Sequence, residues 1–106
     1  MPKYLLKVSY TADGVKGVLK DGGTKRRQAA EAAVKSAGGS LESMYFAFGE
    51  DDVYCIINAP DNVSVAASSM TLGASGMVKA QTIVLLTPEE IDQAAKKGAT
   101  YTPPGR

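Results

Sequence analysis

The feature that most constrains this sequence of 106 residues is the order of its strand-like and helix-like segments. Four segments with strand-like character are separated by segments of helical periodicity, and glycine or proline marks most boundaries. The length is that of one domain. The pattern predicts the order strand, helix, strand, strand, helix, strand, followed by one short helix.

In the first half of the chain, we predict strands over residues 3–10 and 40–48 with helical segments between them. Thr11 is the expected N-cap of the first helical segment. A second helix is predicted over about 24–37, where a stripe of small residues would let it lie close to a sheet. The members of this stripe are Ala29, Ala30, Ala33, Val34 and Ala37.

In the second half, a polar turn at Gly49–Asp52 joins the second strand to a third strand over 53–58, as in a hairpin. Asp61 is the expected N-cap of the next helix. One face of that helix is predicted to comprise Val63, Ala66, Ala67 and Met70.

The fourth strand is predicted from Met77 to Leu86. Thr87 then opens a capping box in which Glu90 is the third helical residue. The short helix ends near Gly98, and residues 99–106 form an extended tail.

This order predicts an α+β ferredoxin-like βαββαβ sandwich, with a four-stranded antiparallel sheet and both long helices on one face. The expected strand order is fourth, first, third, second. Helices on one side of a sheet leave the other side open, and an open side in water should be polar at every second strand position.

The open side of this sheet is instead predicted to be largely apolar. By alternation, the side that the helices cover comprises Leu6, Val8, Val53, Cys55, Ile57, Thr82 and Val84. The opposite side still presents large apolar residues, namely Leu5, Tyr54, Ile56, Ile83 and Leu85. The second strand is apolar in both phases, with Tyr45 in one and Met44, Phe46 and Phe48 in the other. Leaving five or six such side chains in water forgoes about 10 kcal/mol, at ~1.5–3 kcal/mol each. We therefore expect a homodimer, or a higher homo-oligomer, in which sheets stack face to face.

A few polar residues share this open side by the same alternation. They are Lys7, Ser9, Asn58, Lys79 and Gln81. Polar groups within an apolar, partner-covered cavity are typical of a small-molecule site, to which Tyr45 and Tyr54 would also contribute. The alternative is that these residues are satisfied interface groups or lie at the wet rim of the sheet.

The residue inventory excludes several chemistries. The chain has no histidine and one cysteine, which leaves no imidazole base, no histidine-ligated haem and no ordinary zinc site. Cys55 is interpreted as a small buried hydrophobe. The acidic turn at Glu50–Asp52 is interpreted as a solvated turn in preference to a calcium site. No cofactor is expected.

The net charge of +1 argues against a protein that holds a nucleic-acid backbone. The third strand has one aromatic and no basic residue, whereas RNA-recognition modules of this topology need aromatics at set positions. No segment has the roughly 20 apolar residues of a membrane span. We expect a cytoplasmic protein without a disulfide framework and without nucleic-acid or membrane partners.

Two motifs in the second half resemble those of a known family. The turn at Gly49–Asp52 and the segment Asn58–Asp61 resemble the Gly-x-Tyr-Asp and Glu-Ala-Pro-Asp motifs of GYD-domain proteins, small ferredoxin-like proteins related to the dimeric α/β-barrel proteins. Gly38-Gly39, Gly76 and the segment 79–82 also fit the family pattern. The resemblance implies one GYD-like domain over residues 1–98, with a tail over 99–106.

The chain departs from the family pattern at three positions. Asp51 replaces the usual tyrosine, and Asn58 and Gln81 replace usual glutamates. An amide can donate and accept hydrogen bonds but cannot act as a general base. If the glutamates of relatives transfer protons, Asn58 and Gln81 are therefore not expected to do so in this chain.

Three functions remain open from the sequence. The first is a homodimeric module that binds a small hydrophobic or amphipathic molecule between facing sheets. The second, implied by the related dimeric barrels, is a cofactor-free enzyme acting on a small hydrophobic or aromatic compound, with Lys7 and Tyr45 as its acid–base groups. The third is a structural or regulatory assembly protein whose sheet face serves contact alone.

Overall fold

The computed structural model describes residues 1–106 and contains four strands and four helices. In chain order these are β1 (Lys3–Tyr10), α1 (Ala12–Asp21), α2 (Gly23–Ser36), β2 (Ser40–Phe46), β3 (Val53–Asn58), α3 (Asn62–Ala74), β4 (Val78–Leu85) and α4 (Pro88–Lys97). The strands form one antiparallel sheet in the order β2-β3-β1-β4. The predicted α+β fold and strand order are thereby confirmed.

Side-chain caps begin three of the helices at the predicted residues. The hydroxyl of Thr11 accepts a hydrogen bond from the backbone N–H of Gly14 at 3.2 Å, and the Asp61 carboxylate accepts one from Ser64 N–H at 2.8 Å. The second bond lowers the pKa of Asp61, because it stabilises the charged carboxylate. At α4, Thr87 and Glu90 form the complete reciprocal capping box.

The core lies between the two central strands and the helices. Leu6 and Val8 of β1 meet Val53 and Cys55 of β3 in this buried layer. Tyr4 is also buried, and its hydroxyl donates to Oδ1 of Asn62 at 2.6 Å, which ties the sheet to the start of α3. Burial raises the pKa of the Cys55 thiol to about 11, so this thiol is protonated at neutral pH. The interpretation of Cys55 as a buried hydrophobe is confirmed.

The predicted apolar face of α3 does not pack against the sheet. Val63 and Met70 are 78% and 74% exposed, whereas Val65 is buried. The inward side of α3 also carries serines: Ser69 shares a 2.7 Å hydrogen bond with Thr82 of β4, and Ser68 donates to a carbonyl of its own helix. Bonds of this kind let small polar residues replace apolar ones beside a sheet.

Two other details differ from the sequence prediction. β2 ends at Phe46. The turn that follows is closed by a hydrogen bond from the Ala47 N–H to the carbonyl of Asp52. Phe48 is consequently fully exposed in the turn. Val84 lies on the helix side of edge strand β4 as predicted, but it is 53% exposed because α3 covers that strand incompletely.

Beyond β4 the chain leaves the core. Every residue from 88 to 106 is exposed, including Ile91 of α4. None of the four helices is long and apolar enough to cross a membrane.

Two glycines in α1 give a matched test of this packing. A Cβ on Gly14 would lie 2.0 Å from the backbone oxygen of Met77, whereas a Cβ on Gly17 would meet nothing within 4 Å. We expect Gly14→Ala to lower the free energy of unfolding by about 1–3 kcal/mol through overpacking. Gly17→Ala should raise it by roughly 0.5–1 kcal/mol through helix propensity. Urea unfolding monitored by circular dichroism measures both, and equal effects would contradict the close crossing of α1 and the Met77 backbone.

Candidate functional site

The sheet surface that faces away from the helices, hereafter the open face, carries all seven residues predicted as site candidates. Their alternation with the buried residues of the same strands places them there. The candidates are Lys7, Ser9, Tyr45, Tyr54, Asn58, Lys79 and Gln81. No helix of this chain packs over them, so the open face is uncovered within one chain.

Four of the candidates form a single line across all four strands, hereafter the polar row. Tyr45 pairs with Tyr54, Tyr54 pairs with Lys7, and Lys7 pairs with Gln81. Side chains directly opposite each other on antiparallel strands lie about 4.5–5.5 Å apart at Cβ. The polar row therefore places two phenol groups, an ammonium and an amide side by side.

Ser9 and Lys79 form a shorter line next to the polar row, at one end of the sheet. They are cross-strand partners on β1 and β4. Lys79 is exposed and has no acidic partner within 4 Å. It contributes an unpaired positive charge beside the polar row.

On the other side of the polar row lies an apolar row. Leu5 pairs with Ile56 on one side and with Ile83 on the other. Leu5 and Ile56 are half-buried and Ile83 is 41% exposed, and no helix packs over them. The central part of the open face is therefore hydrocarbon that adjoins a line of polar groups.

Asn58 is separated from the other candidates. It pairs with Lys3, which lies four residues from Lys7, a distance of about 13 Å along the strand. Its amide oxygen accepts from Lys3 Nζ at 3.1 Å, its amide nitrogen lies 3.4 Å from the Ser40 hydroxyl, and Lys3 also pairs with Glu42. Asn58 thus belongs to a second polar group beyond the apolar row.

Asp51 is a residue of the open face that the sequence interpretation missed. The 49–52 turn folds back over β1, and the Asp51 carboxylate lies 3.4 Å from Lys7 Nζ and accepts a 3.1 Å hydrogen bond from the Ser9 hydroxyl. Its side chain is 14% exposed. The sequence offered one signal for this contact. Asp51 stands where the family pattern has a tyrosine, and Lys7, with which it pairs, lies on the same face of β1 as the other site candidates.

The interpretation of the 50–52 segment as a solvated turn is therefore wrong for two of its three carboxylates. Asp52 accepts from the backbone N–H of Tyr10 at 2.8 Å, and its own N–H donates to the carbonyl of Val8. Only Glu50 is exposed. These bonds hold the turn against β1 and fix the position of Asp51 beside Lys7 and Ser9 on that strand.

The chemistry available at this end of the open face is that of a lysine–aspartate ion pair beside a tyrosine. Lys7 and Asp51 are both largely shielded, with side chains 26% and 14% exposed. Asp51 thus adds a shielded carboxylate to this part of the open face. The arrangement offers hydrogen-bond donors and one carboxylate next to apolar surface, and it contains no cluster of three or more metal-ligating side chains.

Comparison with known proteins identifies the family. The model of the GYD domain matches residues 4–95, which includes every strand and most of α4. The chain belongs to the GYD domain family. A comparison with curated proteins finds no match.

A solved structure shares the fold of this GYD domain. It is the crystal structure of the Mycobacterium tuberculosis leucine response regulatory protein (LrpA), with a TM-score of 0.51 and 10% sequence identity. The alignment covers 81% of this chain and 51% of that chain, so the GYD domain spans about half of that protein. At this identity the likeness shows the fold alone.

The Lys7–Asp51 pair of this GYD domain can be tested by a double-mutant cycle. We expect Lys7→Met and Asp51→Asn, alone and combined, to give a coupling free energy of about 1–2 kcal/mol in urea unfolding, because both side chains are largely shielded from solvent and Ser9 holds the Asp51 carboxylate in place. The control cycle is Arg27→Gln with Glu31→Gln, an exposed ion pair on α2 whose coupling should stay below about 0.5 kcal/mol. A coupling in the first cycle no larger than in the control would contradict the proximity of Asp51 to Lys7.

Proposed function

We propose that this GYD domain is a homodimeric module that binds a small hydrophobic or amphipathic molecule between two facing sheets. The observation that carries the proposal is the uncovered apolar row, Leu5, Ile56 and Ile83, at the centre of the open face. At most about two-fifths of each of these side chains is still in water, so covering them gains about 1–3 kcal/mol in total, from ~1.5–3 kcal/mol for complete burial of each.

A second copy of the same chain is the simplest cover for this face. Two-fold stacking places each apolar row against an apolar surface of identical composition, and closed two-fold symmetry is the most frequent arrangement of homo-oligomers. The tyrosines of the polar row suit such an interface, because an aromatic ring contributes apolar area while its hydroxyl keeps a hydrogen-bond partner.

The polar row supports a ligand site within that interface. Lys7, Asp51 and Tyr54 would supply orienting groups at the edge of an apolar enclosure, which is the usual composition of a small-molecule pocket. Lys79 adds a positive charge without an acidic partner, so an anionic or electron-rich group on the ligand is favoured.

The Lys7–Asp51 pair also favours a second candidate, a cofactor-free enzyme of the dimeric-barrel type. A shielded ion pair next to Tyr54 provides both a proton donor and a proton acceptor for a small aromatic compound. In this alternative the amides Asn58 and Gln81 take part only by hydrogen bonding.

The dimer is tested by sedimentation velocity at micromolar protein concentration. The wild-type protein should sediment with twice the mass of the 11.0 kDa chain. Ile56→Lys should give a folded monomer, because it would place two unpaired charges in the interface. The control is Val63→Lys on the outward side of α3, which should remain a dimer. A wild-type particle of 11.0 kDa would contradict the proposed pairing.

The ligand site is tested by native mass spectrometry of protein purified from cells. We expect wild-type dimers to carry a small-molecule adduct, and the Lys7→Met/Lys79→Met double variant to lose this adduct while remaining dimeric. The matched control is Lys16→Met/Lys20→Met on α1, which makes the same change in charge away from the open face. A dimer with the same adduct in all three proteins would show that the polar row does not bind the ligand and would favour an interface that serves contact alone.

A further inference from the structure

A second candidate site lies on the opposite side of the sheet, beneath the helices. α2 packs mainly over β2 and α3 mainly over β4, so the central strands β1 and β3 run below the space between the two helices. The side of α2 that faces this space carries Ala29, Ala30 and Ala33, whose short side chains do not reach the sheet closely enough to fill it. A cavity of about 100 Å³ remains there.

The cavity is apolar except at one point. Of its 15 lining residues, 14 are hydrophobic, and the remaining one is Arg26 of α2. Val8 and Cys55 form part of the floor, and Leu72 of α3 forms part of the wall. Ala29 and Ala33 are exposed to solvent, so the cavity is open along α2, and its apolar lining suits a short hydrocarbon group better than water.

Arg26 stands where the cavity meets a second hollow. Tyr10, Arg26 and Val78 line both spaces, and the second hollow, of about 210 Å³, is also lined by Asp13 and by backbone of α1. Tyr10 and Arg26 therefore lie together at the boundary. Burial raises the pKa of the Tyr10 hydroxyl, and the neighbouring guanidinium of Arg26 opposes this rise.

The guanidinium of Arg26 has donors to spare. The one acidic group within 4.0 Å is Asp21, with Nη1 and Oδ2 4.0 Å apart, beyond hydrogen-bond distance. An arginine fork matches a carboxylate with two parallel hydrogen bonds. Asp13 lines the outer hollow and not the inner cavity, and it makes no ion pair with Arg26 within 4 Å, so the guanidinium remains available at the boundary.

We propose that this cavity binds a small aliphatic monocarboxylate, with the hydrocarbon chain between α2 and the sheet and the carboxylate on Arg26. The volume suits a chain of about four or five carbon atoms beyond the carboxylate. The site is separate from the open face and does not depend on the dimer.

The test is a titration of the full-length wild-type protein with sodium acetate, pentanoate and octanoate, followed by amide NMR shifts. Affinity should rise by about fourfold for each methylene from acetate to pentanoate. It should gain much less per methylene from pentanoate to octanoate, because the cavity is then full. The shifted amides should be those of Tyr10, Ala30, Cys55 and Val78.

Two matched pairs of variants test the residues. Ala30→Leu fills the cavity and should weaken pentanoate at least tenfold without loss of thermal stability, whereas Ala32→Leu, which does not line the cavity, should bind as wild type does. Arg26→Gln should weaken pentanoate about tenfold and leave pentanol binding unchanged, whereas Arg27→Gln should alter neither.

Any one of three affinity results would overturn the inference. They are pentanoate affinity no greater than that of acetate, wild-type affinity in Ala30→Leu, and wild-type pentanoate affinity in Arg26→Gln. Shifts confined to Tyr54, Gln81 and their neighbours on the open face would also overturn it, while leaving the proposed function of that face intact.

Discussion

The pairing of β1 with both of its neighbours is the constraint on which the rest of this structure depends. β1 lies between β3 and β4, and its antiparallel register assigns each residue of three strands to one side of the sheet. Because side chains alternate, a slip of one residue would exchange the buried side for the open face. Tyr4, Leu6 and Val8 hold the register, since the slip would move these three buried side chains into water.

The two sides of the sheet then acquire different characters. The helix side is closed by α1, α2 and α3, yet the alanine-rich surface of α2 leaves it incompletely filled. The open face has no cover but carries an ordered arrangement of apolar and polar rows. A packed interior tolerates few voids, and exposed apolar surface is costly, so each side presents an unsatisfied feature that a binding partner can satisfy.

Comparison of particular elements shows why some expectations succeed and others fail. The cap residues Thr11, Asp61 and Thr87 predict helix starts well, because capping depends on atoms only a few residues apart. The inward side of α3 is wrongly predicted, because Ser68 and Ser69 satisfy their hydroxyls by hydrogen bonds that the hydrophobic pattern does not reveal. Asp51 is missed for a related reason: its partners lie 42 and 44 positions earlier in the chain.

The sequence by itself determined the order of elements, the topology and the excess of apolar residues on the strands, since these follow from local periodicity, capping and the rules of chain connection. It also placed six of the seven candidate residues on one face, because alternation is a property of the strand alone. The phase of β2, and with it the face of Tyr45, was decided by its pairing with β3. Only the tertiary structure decided which of them lie together. Grouping depends on register between distant strands, which aligns Tyr45, Tyr54, Lys7 and Gln81 and leaves Asn58 with Lys3. Only the tertiary structure shows the cavity beneath α2. Its size depends on how far the helix lies from the sheet, and the sequences of the two elements do not fix that distance.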